Sequence, residues 1–195
     1  HTGEINKAQI YVACLGASGY TFTKAYKSQD KQDFAQGTVD ALNYFGGSTD
    51  IAVPDNLKSA VIKPCRYEPD INETFQDMAE HYQMVIIPAR VRRPKDKGKV
   101  ELSVKLVQRW ILAKLRHHQF FSITELNIAI KPLLELLNDK VIRKLGQSRR
   151  ELYEKIDKPA LHPLPSQAYV YRESRQCRVN IDYHVELEKC YYSVP

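Results

Sequence analysis

No stretch of this 195-residue sequence is apolar for the ~20 residues that a membrane span requires, and no signal-peptide pattern opens it. Cysteine is scarce and dispersed: Cys14, Cys65, Cys177 and Cys190 form no CxxC pair. That spacing argues against a zinc site and a disulfide framework, and it suits core or surface thiols in a reducing cytosol. Also lacking are a Walker-type glycine-rich loop, a Gly-x-Ser-x-Gly elbow and a dinucleotide fingerprint. The chemistries that those motifs serve are therefore without their usual signature. No internal repeat or low-complexity tract occurs, and the sequence begins at His1 rather than methionine, which reads as a piece of a longer protein.

What is present is basic. A net charge of +6 and a pI near 9.0 favour a polyanionic partner. The length allows one sizeable core with a small appendage, and 43% hydrophobic residues is ordinary for a globular chain. The charge concentrates after Met84–Ala89, an apolar run that reads as a fully buried strand. This run empties into a loop carrying Arg90, Arg92, Arg93, Lys95, Lys97 and Lys99. Glu101 then opens a long amphipathic helix. From Val100 onward, Val104, Val107, Ile111 and Leu115 recur at helical spacing as a core-facing stripe. Glu101, Lys105, Gln108 and Arg109 share a different, polar arc.

A carboxylate flanked by bases, behind a basic loop, suits a metal site facing a phosphate backbone. The plainer reading is a solvated loop with an ordinary i,i+4 surface pair, Glu101 and Lys105. A second carboxylate, Asp55, directly follows Thr49–Pro54, which reads as a short buried strand. Reactive groups gather at strand ends in open α/β sheets, and hard divalent cations take carboxylate oxygens. Taken singly, Asp55 is equally a turn or cap aspartate.

The rest of the chain reads in order as follows. His1-Thr-Gly-Glu4 is a hairpin turn, Lys7–Ala17 a strand, Ser18-Gly19 a tight turn and Tyr20–Tyr26 a second strand. Lys31–Phe45 is a helix ended by Gly46-Gly47. A helix over Ile71–Tyr82 follows, with Asp70 and Glu73 as its capping box. His117-His118 closes the long helix; adjacent residues point about 100° apart, which disfavours a shared metal. Ser122 and Glu125 form a capping box for a helix through Leu126, Leu133, Leu134 and Leu137, kinked at Pro132. Arg143, Lys144, Arg149 and Arg150 make a second basic cluster. Pro159, Pro163 and Pro165 mark a linker, and three short β patterns from Tyr169 to Pro195 begin a small all-β unit.

The Ile10–Tyr26 hairpin, Asp55-Asn-Leu-Lys-Ser-Ala-Val61 and Arg92-Arg-Pro-Lys-Asp-Lys-Gly-Lys-Val-Glu101 together resemble the RNase H-like integrase core of IstA-type transposases. These serve bacterial insertion sequences and are relatives of retroviral integrases and the phage Mu transposase. The resemblance covers nearly the whole chain, and Val179–Glu186 with Tyr191–Pro195 resembles the start of that family's C-terminal β-barrel. It implies an α/β fold with a mixed sheet whose first strand precedes His1. The implied division is an integrase core with trailing helices over 1–158, a Pro-rich linker over 159–166 and the beginning of the barrel over 167–195.

The resemblance further implies a catalytic triad of two aspartates and a glutamate (DDE) holding two Mg²⁺ ions, for which Mn²⁺ can substitute. Asp55 matches the second aspartate and Glu101 the glutamate, with 45 residues between them. That gap is longer than retroviral integrases usually have. No residue matches the first aspartate, since Asp30, Asp33 and Asp50 sit in other elements, so the chain alone is expected to be inactive. The implied activity is two-metal phosphoryl transfer: 3′-end cleavage and strand transfer into target DNA. Implied partners are transposon-end and target DNA, an AAA+ ATPase helper and further copies of the protein. The implied setting is the bacterial cytoplasm, at the nucleoid. The basic residues from Arg90 to Lys99, with Lys105, Gln108, Arg109 and the second cluster, would lie along DNA. Two other readings remain open, a non-catalytic DNA-binding assembly module and a general RNase H-like nuclease.

Overall fold

An antiparallel hairpin, β1 (Gln9–Cys14) and β2 (Thr21–Tyr26), opens the computed structural model, in register from Gln9↔Tyr26 to Cys14↔Thr21. The structure describes residues 5–54, 61–63, 70–71, 73–87, 94–172, 183–187 and 190–193. The connecting turn is wider than the expected Ser18-Gly19 pair. The Gly19 amide donates to the Leu15 carbonyl, and Gly19 takes a φ of +68°, where a side chain would be strained. α1 (Lys31–Phe45) follows and stops at Gly46, whose left-handed conformation (φ +74°) lets its amide reach the Leu42 and Asn43 carbonyls.

β3 (Ile51–Ala52) leads on to the antiparallel pair β4 (Val61–Lys63) and β5 (Asp70–Ile71), then α2 (Glu73–His81) and β6 (Val85–Ile86). Asp70 and Ile71 belong to β5, so α2 begins later than expected and Asp70 stands in a strand, not at a cap. β3 and β6 pair in parallel, Ile51 opposite Val85. The Met84–Ala89 run is not buried throughout. Met84 is buried, but Val85 is 61% and Ile87 46% exposed. Successive strand residues point to opposite faces, and only Ala52 and Ile86 face the helices.

α3 (Pro94–Val107) starts inside the basic stretch, with Pro94 in the first-turn position where its missing N–H costs nothing. Lys95, Lys97 and Lys99 are therefore helical residues rather than loop residues. The helix passes through a π-helical turn (Gln108–Leu112) into α4 (Ala113–Leu115). α5 (Ile123–Asp139) runs continuously through Pro132. Its Ser122 cap accepts the Glu125 amide, while the Glu125 carboxylate takes the Phe121 amide instead of completing the box at Ser122. A small hairpin, β7 (Val141–Ile142) and β8 (Gln147–Ser148), leads to α6 (Arg149–Leu152). Ser148 and Glu151 form a full capping box there that the sequence reading passed over.

Two cores hold these elements. One joins β1, β2, α3, the π turn and α5 through Phe22, Ala41, Phe45, Val107, Ile111 and Leu134; the other joins α1 to α2 through Val39, Leu42, Phe75, Met78 and Tyr82. α5 also seals the outer edge of β2. Asn138 accepts from the Thr21 amide (3.0 Å) and donates to the Thr21 carbonyl (2.8 Å); Asn127 does the same for Ala25, at 2.7 and 2.9 Å. Eleven helical residues rise about 16 Å and four strand residues about 13 Å, so asparagines three turns apart reach β2 residues four apart.

The proline-marked segment is fastened to this body. Ser48 and His162 exchange backbone hydrogen bonds, and His162 pairs with Asp50 at 2.7 Å. Tyr169, expected in a strand, instead lies on α2: its hydroxyl donates to Asp77 (3.0 Å) and its amide to the Tyr82 hydroxyl (3.1 Å). Of the expected β unit, β9 (His184–Leu187) and β10 (Cys190–Ser193) form one antiparallel hairpin. Among the described residues no closed barrel is present, and 173–182 lie outside them.

Candidate active site and basic surface

A cavity of about 560 Å³ lies between β1, β3, α1 and α3. Its walls are mainly apolar, with Val12 and Cys14 on one side, Ile51 and Val53 on the other, and Val100 and Val104 from α3. Pro54 and Val100, the residues that precede the two candidate carboxylates Asp55 and Glu101 in the chain, both line it. Asp55 itself lies outside the described residues, as do Arg90, Arg92 and Arg93; Lys95 and Lys97 lie on the first turns of α3.

The rotation of α3 is set by its core. Val107 and Ile111 are 1% and 0% exposed. At 100° per residue this turns Glu101, Lys105, Gln108 and Arg109 outward, and all four are exposed. Gln108 and Arg109 begin the π turn, a distortion that recurs at functional sites. Lys99 folds back so that its ammonium donates to the Gly16 and Ala17 carbonyls, fixing the β1–β2 turn against α3. From the other side the Asp157 carboxylate accepts the Ser18 amide at 2.9 Å. Beneath Lys99, burial pushes the Cys14 thiol up, partly offset by its bond to Ser103 and by the Lys99 charge, so the thiol is not poised as a nucleophile.

Glu101 offers hard oxygen donors to solvent, and it follows the cavity-lining Val100 in the chain as Asp55 follows the cavity-lining Pro54. Two carboxylates of this kind suit Mg²⁺, whose shell phosphate oxygens and water complete. Among the described residues no three His, Cys, Asp or Glu side chains come together as a ready cation cage.

The second basic cluster divides in two. Arg150 is committed internally: its guanidinium bonds Glu135 and Asp139, donates to the Tyr20 hydroxyl at 3.3 Å and lies 5.7 Å from the Tyr20 ring centre. These partners hold it firmly protonated. Arg149 donates to the Leu137 carbonyl at 3.4 Å, and burial lowers its pKa. Arg143 and Lys144, in the β7–β8 turn, remain exposed. The sequence did carry a signal for this split, since Glu135 and Asp139 stand one helical turn apart on α5 and offer a guanidinium two carboxylates. His118 stacks on Phe120 with ring centres 6.2 Å apart.

No family model matches the chain. Its fold matches the integrase of the simian T-cell lymphotropic virus intasome solved with a regulatory subunit, B56 gamma, of PP2A. The TM-score is 0.63 at 15% identity, over 87% of this chain and 55% of that one. The HTLV-2 integrase catalytic core domain, solved with magnesium, gives 0.58 at 16% identity, over 78% of this chain and 89% of that one. The architecture is thus the RNase H-like integrase core.

Sequence similarity narrows this further. A Sinorhizobium fredii protein assigned as transposase y4bL/y4kJ/y4tB is 52% identical over 194 residues, which is 100% of this chain and 38% of that protein. The transposase for insertion sequence element IS21 of Pseudomonas aeruginosa is 29% identical over 195 residues, 99% of this chain and 49% of that protein. Over its whole length the chain is similar to these transposases, and it spans 38% of the length of the first of them.

Proposed function

We propose that the chain supplies most of the catalytic core of a DDE-type DNA transposase, which cleaves 3′ ends and transfers them into target DNA. The observation that supports this reading is an exposed Glu101 in an integrase-type fold, with the residues that precede Glu101 and Asp55 in the chain, Val100 and Pro54, lining one cavity. Asp55 and Glu101 would hold the metal, together with a first aspartate contributed upstream of His1. Two Mg²⁺ ions bound there would activate the attacking water or 3′-hydroxyl and stabilise the leaving oxygen. Lys105, Gln108 and Arg109, on the same exposed arc as Glu101, position backbone phosphates and leave base identity unread. Arg90, Arg92, Arg93, Lys95 and Lys97 extend that surface toward the DNA, while Arg143 and Lys144 offer a second contact. The working complex contains several copies of the protein, transposon-end and target DNA, and an AAA+ ATPase helper.

The test is strand transfer of a labelled 3′-hydroxyl oligonucleotide in Mg²⁺ or Mn²⁺ by the full-length protein and by its Glu101→Gln variant. Joined product from the parent and none from the variant is expected. An equally active variant would remove Glu101 from the metal site. Free ends without joined strands would favour a general RNase H-like nuclease. Because only two carboxylates of the triad are matched in this chain, a second reading is a non-catalytic assembly module; it predicts salt-sensitive DNA binding without products.

A further inference from the structure

We propose that the β7–β8 hairpin is a probe for the major groove of duplex DNA, with Arg143 and Lys144 on the flanking phosphates and Leu145 against thymine methyl groups. The inference rests on the DNA-handling reading above and adds the groove, the apolar contact and the base it favours.

The shape of the hairpin carries it. Val141 and Ile142 pair with Ser148 and Gln147, and the residues from Arg143 to Gly146 form the tip. The Leu145 and Gly146 amides both donate to the Ile142 carbonyl at 2.9 Å, and Gly146 closes the turn at a φ of +66°. These bonds tie the tip to a single backbone oxygen and fix its conformation. The base is fastened as well: Ser148 and Glu151 cap α6 reciprocally, and Arg149 donates to the Leu137 carbonyl. From that base the tip stands out into solvent. Arg143, Lys144, Leu145 and Gly146 are all exposed, and a Cβ added at Gly146 would meet no atom within 4 Å.

Composition selects the partner. Leu145 is 59% and Val141 56% exposed, apolar surface set among Lys140, Arg143 and Lys144. No acidic residue occurs from Lys140 to Ser148. The acids that flank the segment are engaged: Glu135 and Asp139 by Arg150, and Glu151 by the Ser148 amide at 2.6 Å. Positive charge on a rigid tip matches the phosphates on both walls of a groove. Two strands about 4.8 Å apart, with their side chains, fit the ~12 Å width of the major groove and are excluded from the ~6 Å minor groove. The apolar group on the major-groove floor is the thymine methyl.

The place of the hairpin suits a duplex already held near Glu101. Lys140, at its foot, lies 3.1 Å from the centre of the Trp110 ring, and Arg109 lies 6.0 Å from the same ring. Arg109 shares the exposed arc of Glu101, about 12 Å further along the helix. The hairpin therefore continues the line of bases that starts beside Glu101.

The test measures affinity of the full-length protein for a duplex and for the same duplex with every thymine replaced by deoxyuridine. Leu145→Ala and Leu145→Met, each checked by thermal melting, are compared with the parent. On the thymine duplex Leu145→Ala is expected to bind roughly tenfold more weakly, through lost apolar burial, with Leu145→Met close to the parent. The slope of log K against log salt should not move, because no phosphate contact is lost. On the uridine duplex the gap between parent and Leu145→Ala should shrink by about fourfold for a contacted methyl. A gap of the same size on both duplexes overturns the major-groove assignment. Equal binding by parent and Leu145→Ala overturns the proposal outright and turns the apolar tip toward a protein partner. Either result leaves the strand-transfer reading standing, whereas a parent that binds no duplex would sink both.

Discussion

Single side chains in this fold divide sharply into those that hold it and those left free to act. Glu101 is exposed and its neutral amide isostere changes no packing. Glu101→Gln should shift the denaturation free energy by no more than about 0.5 kcal/mol while abolishing strand transfer, a contrast read by urea titration beside the transfer assay. Asn138 is the opposite case: fully buried, it serves both peptide groups of Thr21 and the Tyr44 hydroxyl. Asn138→Ala leaves those groups without partners and should cost roughly 3 kcal/mol in the same titration. Asp40 gives a pH signature. Burial alone would raise its carboxyl, but hydrogen bonds from Lys24, Tyr26 and Gln36 outweigh this and hold it below its ordinary value of 3.8. A depressed folded-state pKa stabilises above the unfolded value and loses that contribution as pH falls through the folded one. Asp40→Asn should therefore flatten the acid limb of the stability profile below about pH 4, as measured by thermal melts across pH.

At the level of elements, α1 shows a case in which helix propensity gives the wrong sign. Replacing Gly37 by alanine in a helix interior ordinarily gains about 1 kcal/mol. Here a Cβ would stand 2.6 Å from Cδ2 of Tyr11. That ring cannot retreat: Phe22, Tyr26 and Phe34 pack edge-on around it, and its hydroxyl bonds Thr38 at 3.0 Å. Burial pushes the Tyr11 phenol up to about 12, consistent with a ring held inside. Gly37→Ala should therefore destabilise, by roughly 1–3 kcal/mol of overpacking, and lower the thermal midpoint. α5 teaches a related lesson, because its apolar stripe was legible while its asparagines were not. A helix that closes a strand edge does so through side chains that sequence reading treats as neutral helix residues.

For the molecule as a whole, a charge of +6 is a statement about partners. Only the exposed part of that charge can meet phosphate. Replacing both Arg143 and Lys144 by alanine should reduce the slope of log K against log salt for duplex DNA by roughly 2, with the fold unchanged. Arg150→Ala should act instead on stability, since its charge already answers Glu135 and Asp139. Fluorescence anisotropy over a salt series, with melting curves for each variant, separates the two behaviours.

The sequence by itself determined the β1–β2 hairpin, helices α1 and α5 and the stripe Val104–Val107–Ile111 that orients α3, because periodicity and turn residues act locally; it did not show the short pairs β4–β5 and β7–β8. It also pointed to Asp55 and Glu101 through residue type and resemblance to a family. It misjudged where α3 starts, since a proline within a basic run reads equally as a loop or as a first turn. It misjudged how deeply Val85 and Ile87 are buried, since an apolar run does not say how many faces are covered. Only the tertiary structure decided which arginines of the second cluster are free, that Asn127 and Asn138 close β2, and that Tyr169 docks on α2. Those outcomes depend on contacts between residues up to 130 positions apart, and no local pattern encodes which distant partner a polar side chain will meet.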